Sequence, residues 1–403
     1  MYLTKEEEAI LSGEYGPEYQ KAMKVLVKLG DALGAERLIK VVHAHISGIS
    51  YQNIGDAGLE FLEEYSKVKV RTYTTSNPLG FDMNLWREMG IPEEFYAKQL
   101  RIVKALRRMG VNETFTCTPY YIRKPLVGEH LAWGESNAVL YANSACGART
   151  NREGGPSTVF AALIGKVPYM GVHVDENRVP QVLIKVNAPL RDQLYAGILG
   201  YIVGTYVKDK VPLVRNIGKI TDDMVKALCA GLGTSSSTPL CFLENISPEI
   251  SKMKLKYSEL EKAEIDTQSF KDVIETYETL DSADTVFLGC PHLSYGEIME
   301  VYRYIGKYDR KAKTPIILVT SRKVFEEIPP YVKLLFEKKN IKLIRDTCFV
   351  VSPLKYLGIR KVLTNSIKQA YYLSNIHGVK VGLCETRKCI GIAFGERWFN
   401  NGV

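Results

Sequence analysis

Hydrophobic positions recur every three to four residues over 4–33, a spacing that predicts two helices, the first opened by a capping box between Thr4 and Glu7. Thereafter the pattern shortens. A strand is predicted over 38–44, ending at HISGIS (45–50), and helical spacing returns over 56–67. A second strand over 68–74 stops at SNPLG (76–80), a helix follows over 92–109, and a third strand delivers Cys117. Such alternation predicts a largely parallel sheet, because parallel neighbours need a long crossover, usually a helix.

Further along, the spacing is less regular. GARTNREGG (147–155) holds too many turn-forming residues for a regular element and is predicted to be a loop serving a site. The stretch 157–248 mixes strands, such as 181–186, with an apolar, glycine-spaced helix over 194–207. A charged helical stretch is predicted over 248–279, leading into four strand-and-helix repeats that begin at Thr285, Pro315, Ile341 and Lys361. The predicted class is therefore α/β with mostly parallel sheets in three lobes. Residues 1–150 carry the loops and a first cysteine, 151–280 form a middle lobe, and 281–403 form a Rossmann-like lobe.

With 403 residues, 46% of them apolar, the chain can bury more than one core. No run of eighteen apolar residues occurs and charge begins at Lys5, so neither a membrane span nor a signal peptide is expected. A soluble, cytoplasmic protein is the expectation. The eight cysteines are spread out, which suits reduced thiols or metal ligands better than a disulfide framework. The net charge of +8 is interspersed, without the basic stripe of a nucleic-acid binder, yet it favours an anionic small substrate. Scarce glutamine beside abundant Lys, Glu and Tyr leans thermophilic.

Three cysteines sit where predicted strands run out into loops: Cys117 in TFTCTPY, Cys290 in VFLGCPH and Cys348 in LIRDTCFV. Open α/β sheets bind ligands outside the carboxyl ends of their strands, so these thiols are expected to converge. Three thiolates on an iron–sulfur cube leave one iron free for Lewis-acid chemistry, whereas a fully ligated cluster carries electrons. Taken singly, a cysteine is a small core residue, the reading given to Cys229, Cys241 and Cys384. Cys389 in TRKCI is a reserve ligand, because Arg387 and Lys388 would lower its pKa.

Other loops offer anion-binding groups. Ser47, Gly48, Ile49 and Ser50 present amides and hydroxyls between a strand and a helix, and Asn77 and Pro78 form a second wall. Glu135, an acid or base, precedes Ser136 and Asn137, which serve as helix caps or donors to a hydroxylated substrate. Arg149 and Arg152 supply planar forks, and Lys368 an ammonium at the start of a helix. His43, His45 and His292 are read as structural. The motifs of nucleotide-triphosphate, zinc-protease and serine-hydrolase chemistry are missing from the sequence.

Taken together and in order, HISGISYQN, SNPLGFD, TCTPY, WGESNAVLYANS, GARTNREGGP, GCPH, DTC and TNSIK resemble the aconitase X family, in particular its archaeal large subunits. The likeness runs over nearly the whole chain. It implies an aconitase-like fold and an iron–sulfur cluster, most simply 4Fe-4S, on Cys117, Cys290 and Cys348. It also implies a separate small swivelling subunit, for which 403 residues are expected to leave no room. The implied reaction is loss of water from (R)-5-phosphomevalonate to give trans-anhydromevalonate 5-phosphate, while bacterial relatives dehydrate cis-3-hydroxy-L-proline. The general base is implied to be a serine of the small subunit, with Glu135 and Ser136 as local alternatives. Two other classes remain open: an RNA-binding, iron-sensing aconitase relative and an electron-transfer protein.

Overall fold

Three parallel sheets organise the computed structural model, which describes residues 1–254 and 256–397. The first orders Tyr73–Ser76, His43–Ile46 and Leu131–Trp133. The second orders Phe242–Leu243, Pro212–Arg215, Val182–Val186 and Glu261–Ile265. In the third the order is Ile341–Arg345, Ile316–Thr320, Thr285–Leu293, Lys361–Thr364 and Lys380–Leu383. The fold is a mixed α/β architecture built mainly on parallel sheets.

Several predicted elements shift for identifiable reasons. The strand expected over 38–44 divides, because Leu38–Lys40 pairs antiparallel with Lys166–Pro168 while His43–Ile46 joins the parallel sheet. The strand expected over 68–74 starts only at Tyr73. Upstream, the amides of Val70 and Arg71 are spent on the carbonyls of Met109 and Ala162 at the ends of helices. No ladder strand delivers Cys117. Asn112 and Thr116 do donate to Thr74 and Ser76, but Phe115 between them has φ 39°, and a left-handed bulky residue breaks the run. The charged stretch 248–279 is not one helix: it holds a 3₁₀ turn, the edge strand Glu261–Ile265 and the helix Thr267–Glu275. A helix predicted from residue 56 begins earlier, as Tyr51–Tyr65, kinked at Gly55.

The glycine-spaced helix Gln193–Val207 packs directly on Asp222–Ser235. A Cβ at Gly200 would strike the Leu228 carbonyl, and one at Gly231 the Gly197 carbonyl, so the crossing depends on bare backbone. One apolar core runs from Trp133 and Leu140 through Ile184 and Leu199 to Phe287 and Val362. It ties all three sheets together. A second core lies under the N-terminal helices and includes Leu163 of the helix Gly155–Ile164, and a third covers the far face of the five-stranded sheet.

Candidate functional site

The site lies on a seam where the loop after Tyr73–Ser76 meets the loop after Ile341–Arg345. Leu79 donates its amide to the Asp346 carbonyl at 2.8 Å and accepts one from Cys348 at 2.8 Å, forming a one-residue parallel bridge. Ser50 Oγ donates to the Val351 carbonyl at 2.7 Å, and Ser352 Oγ to that of Gly80 at 2.5 Å. Any Cβ on Gly80 would sit 2.7 Å from both Ser50 Oγ and the Val351 carbonyl, so glycine is what lets the loops meet.

This seam encloses a cavity of about 80 Å³ whose wall includes Cys117, Cys290 and Cys348. Gly48, Ile49, Ser50, Asn77, Pro78, Glu135 and Lys368 line it too. Cys117 accepts the His292 amide on its sulfur at 3.3 Å, and Asn137 Nδ2 donates to the Cys117 carbonyl at 3.1 Å. Burial raises all three thiols, Cys117 well above the usual range, Cys348 to about 12, and Cys290 too, although the Lys368 ammonium pulls Cys290 back. Even with that ammonium nearby, all three stay protonated at neutral pH. Among the described residues no three His, Cys, Asp or Glu side chains are gathered tightly enough to hold a single metal ion.

Opposite the thiols stands a largely, though not fully, buried ion pair. Lys368 Nζ reaches Glu135 Oε1 at 2.6 Å and Ser136 Oγ at 3.3 Å, and Asn77 Nδ2 donates to Glu135 Oε2 at 2.9 Å. Burial opposes the Glu135 charge, but Lys368, by Coulomb attraction and hydrogen bond, and Asn77 outweigh it and hold the carboxyl at about 2. Because a carboxylate only accepts, the Asn77 amide must turn its oxygen toward His45 Nε2, 2.9 Å away. His45 then carries its proton on Nε2 and accepts from Thr75 on Nδ1 at 2.7 Å. Thr75 in turn accepts from His43 Nε2 at 2.8 Å. Every donor points toward Glu135. Burial keeps His45 neutral, lowering its pKa to about 4.

Not every predicted residue reaches the cavity. Glu135, rather than Ser136 or Asn137, is the N-cap of the helix Ser136–Ser144. Ser47 lies against Gly134, and Asn137 holds the Cys117 backbone and the Tyr120 hydroxyl. Arg149 pairs with Asp175 and approaches Glu249, while Arg152 caps carbonyls at Gly233 and Ser236. Cys389 sits against Cys384, away from the other thiols, and burial and its contact with Cys384 raise its pKa where a lowered one was expected. Sequence reasoning missed Lys226, fully buried behind Cys290, where it meets Asp223, Glu297 and the His292 carbonyl. Its signal was available: one cation amid the apolar run MVKALCAGL.

Comparison with known proteins matches this architecture throughout. The family models described as Aconitase X first, second and third domain match residues 1–176, 180–275 and 283–395. A phosphomevalonate dehydratase large subunit of Methanocaldococcus jannaschii is 42% identical, the match covering 93% of this chain and 95% of that one. A cis-3-hydroxy-L-proline dehydratase of Pseudomonas aeruginosa is 31% identical over 97% of this chain and 70% of its own. The crystal structure of Thermococcus kodakaraensis aconitase X, in its holo-form, superposes with a TM-score of 0.91 at 40% identity, covering 98% of this chain and 100% of that one. No helix among the described residues is long and apolar enough to cross a membrane. By sequence over its full breadth and by fold, the chain belongs to the aconitase X family.

Proposed function

We propose that this chain is the large subunit of a dehydratase that removes water from (R)-5-phosphomevalonate to give trans-anhydromevalonate 5-phosphate. One observation carries the reading: three cysteines from distant segments share one cavity with a Glu135–Lys368 pair, in a chain 42% identical to a phosphomevalonate dehydratase large subunit. Cys117, Cys290 and Cys348 would hold an iron–sulfur cluster, most simply 4Fe-4S. The donor set fits, since neutral buried thiols become thiolates once a cationic group arrives, and separate irons accept thiolates spaced more widely than one ion does. When bound, such a cluster supplies Lewis-acid stabilisation of the departing hydroxyl.

The chain's own residues bind and orient. Lys368 is the largely buried cation on the cavity wall that faces a substrate carboxylate or phosphate, and the backbone amides around Gly48–Ser50 supply donors beside it. Glu135, held near 2 while paired, is too weak a base to take an α-proton at neutral pH. Its part is to fix Lys368, and the base is assigned to a serine of the small subunit. At about 80 Å³ the cavity is smaller than common ligand pockets of roughly 300 Å³ or more, which supports completion of the site by that subunit. Arg149 and Arg152 are engaged within the fold and are left out of substrate binding.

The test is anaerobic co-purification with the small subunit, followed by assays on phosphomevalonate and cis-3-hydroxy-L-proline side by side. Water loss from phosphomevalonate alone is expected, and only with both subunits. Turnover of hydroxyproline alone overturns the substrate assignment, and full turnover by this chain alone overturns the need for a partner.

A further inference from the structure

A second thiol site lies in the third lobe, outside the cavity just described. Cys384 follows the edge strand Lys380–Leu383, and Cys389 lies in the helix Thr386–Ala393 that comes next. Their sulfurs are 3.0 Å apart, about one ångström more than a disulfide bond of roughly 2.05 Å. Cys389 Sγ also donates to the Cys384 carbonyl at 3.3 Å, so the turn itself aims the two side chains at each other.

Access is one-sided. Cys384 keeps 9% of its surface exposed and forms part of the wall of an open cavity of about 390 Å³, whereas Cys389 has no exposure. Glu275, Glu278 and Asp281 line the same cavity with Lys271 and Lys388, so its mouth is polar and wet enough for a small charged molecule. The segment is anchored, because Cys384 N–H donates to the Thr364 carbonyl at 3.0 Å and Asn365 Nδ2 donates to Thr386 Oγ1 at 2.8 Å.

The geometry points to a dithiol that exchanges with low-molecular-weight disulfides and closes reversibly to a Cys384–Cys389 bond. Cys384, having lost its proton to solvent, attacks one sulfur of the small disulfide. The S–S bond of the reagent breaks, one small thiol leaves with a proton, and a mixed disulfide remains on Cys384. Cys389 then attacks the Cys384 sulfur and gives its proton to the second departing thiolate. Two protein thiols are oxidised to one disulfide, and one small disulfide is reduced to two thiols.

The chain lends itself to a direct test, since Arg387 and Lys388 place trypsin cleavage between the two cysteines. The cluster-loaded protein with its small subunit is treated anaerobically with cystamine, alkylated, digested without reductant and analysed by mass spectrometry. Peptides 381–387 and 389–397 are expected to be joined, two hydrogens lighter than their sum. In Cys389→Ser the reagent half is expected to stay on Cys384. In Cys384→Ser, peptide 389–397 is expected to be alkylated only after denaturation. Recovery of both wild-type peptides as separate alkylated species, or a lasting adduct on wild-type Cys384 beside a free Cys389, overturns the inference.

Discussion

Cys290 lies in one strand of the five-stranded sheet and Cys384 directly follows another, yet they meet different surroundings. Cys290 lies within the central strand Thr285–Leu293, where the register to Ile316–Thr320 shifts, and it faces a seam built partly from the first lobe. Cys384 comes just after the edge strand Lys380–Leu383, and its nearest sulfur is five residues along in the same turn. A central strand of a parallel sheet opens onto a crevice that other lobes can enter. At the edge, the distant segment that comes into reach, 271–281, brings no further sulfur. Position in the sheet, more than flanking residues, thus separates a thiol that shares a site from one that pairs with its neighbour.

The largest contrast is in turnover. Serine at Cys117, Cys290 or Cys348 is expected to remove iron–sulfur absorbance and to lower dehydratase activity by about 100-fold or more, while Cys384→Ser stays within about twofold. Visible spectra and turnover of the anaerobic complex would report both. Equal losses in all four variants would erase the distinction.

Next in size is the ion pair of the seam. Lys368→Met strands a buried carboxylate and is expected to cost about 3–5 kcal/mol in urea unfolding, with Glu135→Gln added to it recovering much of the loss. Should the single change prove neutral, the pairing does not matter for stability.

Acid probes the same seam more gently. Glu135 goes from 4.5 in the unfolded chain to about 2 when folded, so its contribution is present above pH 4.5 and is lost as pH falls toward 2. His45 and His292, lowered by burial from 6.5 to about 4, add stability above pH 6.5 that disappears between those values. Two successive acid losses, on the order of 3 kcal/mol per group, are expected by denaturation at stepped pH. Stability independent of pH between 6.5 and 4 would contradict the neutral histidines. The smallest effect belongs to a thiol wholly inside the apolar core: Cys241→Ala should cost about 1 kcal/mol and leave the spectrum untouched.

Much of the third lobe was legible because apolar strands alternate with helices: the repeats at Thr285, Ile341 and Lys361 open on strands, although the one at Ile341 has only 3₁₀ turns, Phe349–Val351 and Leu354–Tyr356, where a helix was expected. The cysteines and loops of the cavity were legible from strand ends and turn residues. Illegible were features that depend on a distant partner. Nothing around Val70 or Arg71 says that their amides bond to helix ends, and nothing near Arg149 points to Asp175 and Glu249. The strand Glu261–Ile265 was hidden by its charges, since an edge strand exposes residues that read as helical surface. Ser136 and Asn137 were natural choices as caps, yet Glu135 took the role while bonded to Lys368.

The bridge between Leu79 and Thr347 bears on how the protein matures. During synthesis the ribosome emits Cys117 long before Cys348, and until the last third of the polypeptide has docked, the pocket has neither its far wall nor two of its sulfurs. Any cluster held by these three thiols would therefore be loaded only after the third lobe has docked. A polypeptide stopped before the third lobe would carry Cys117 alone of the three.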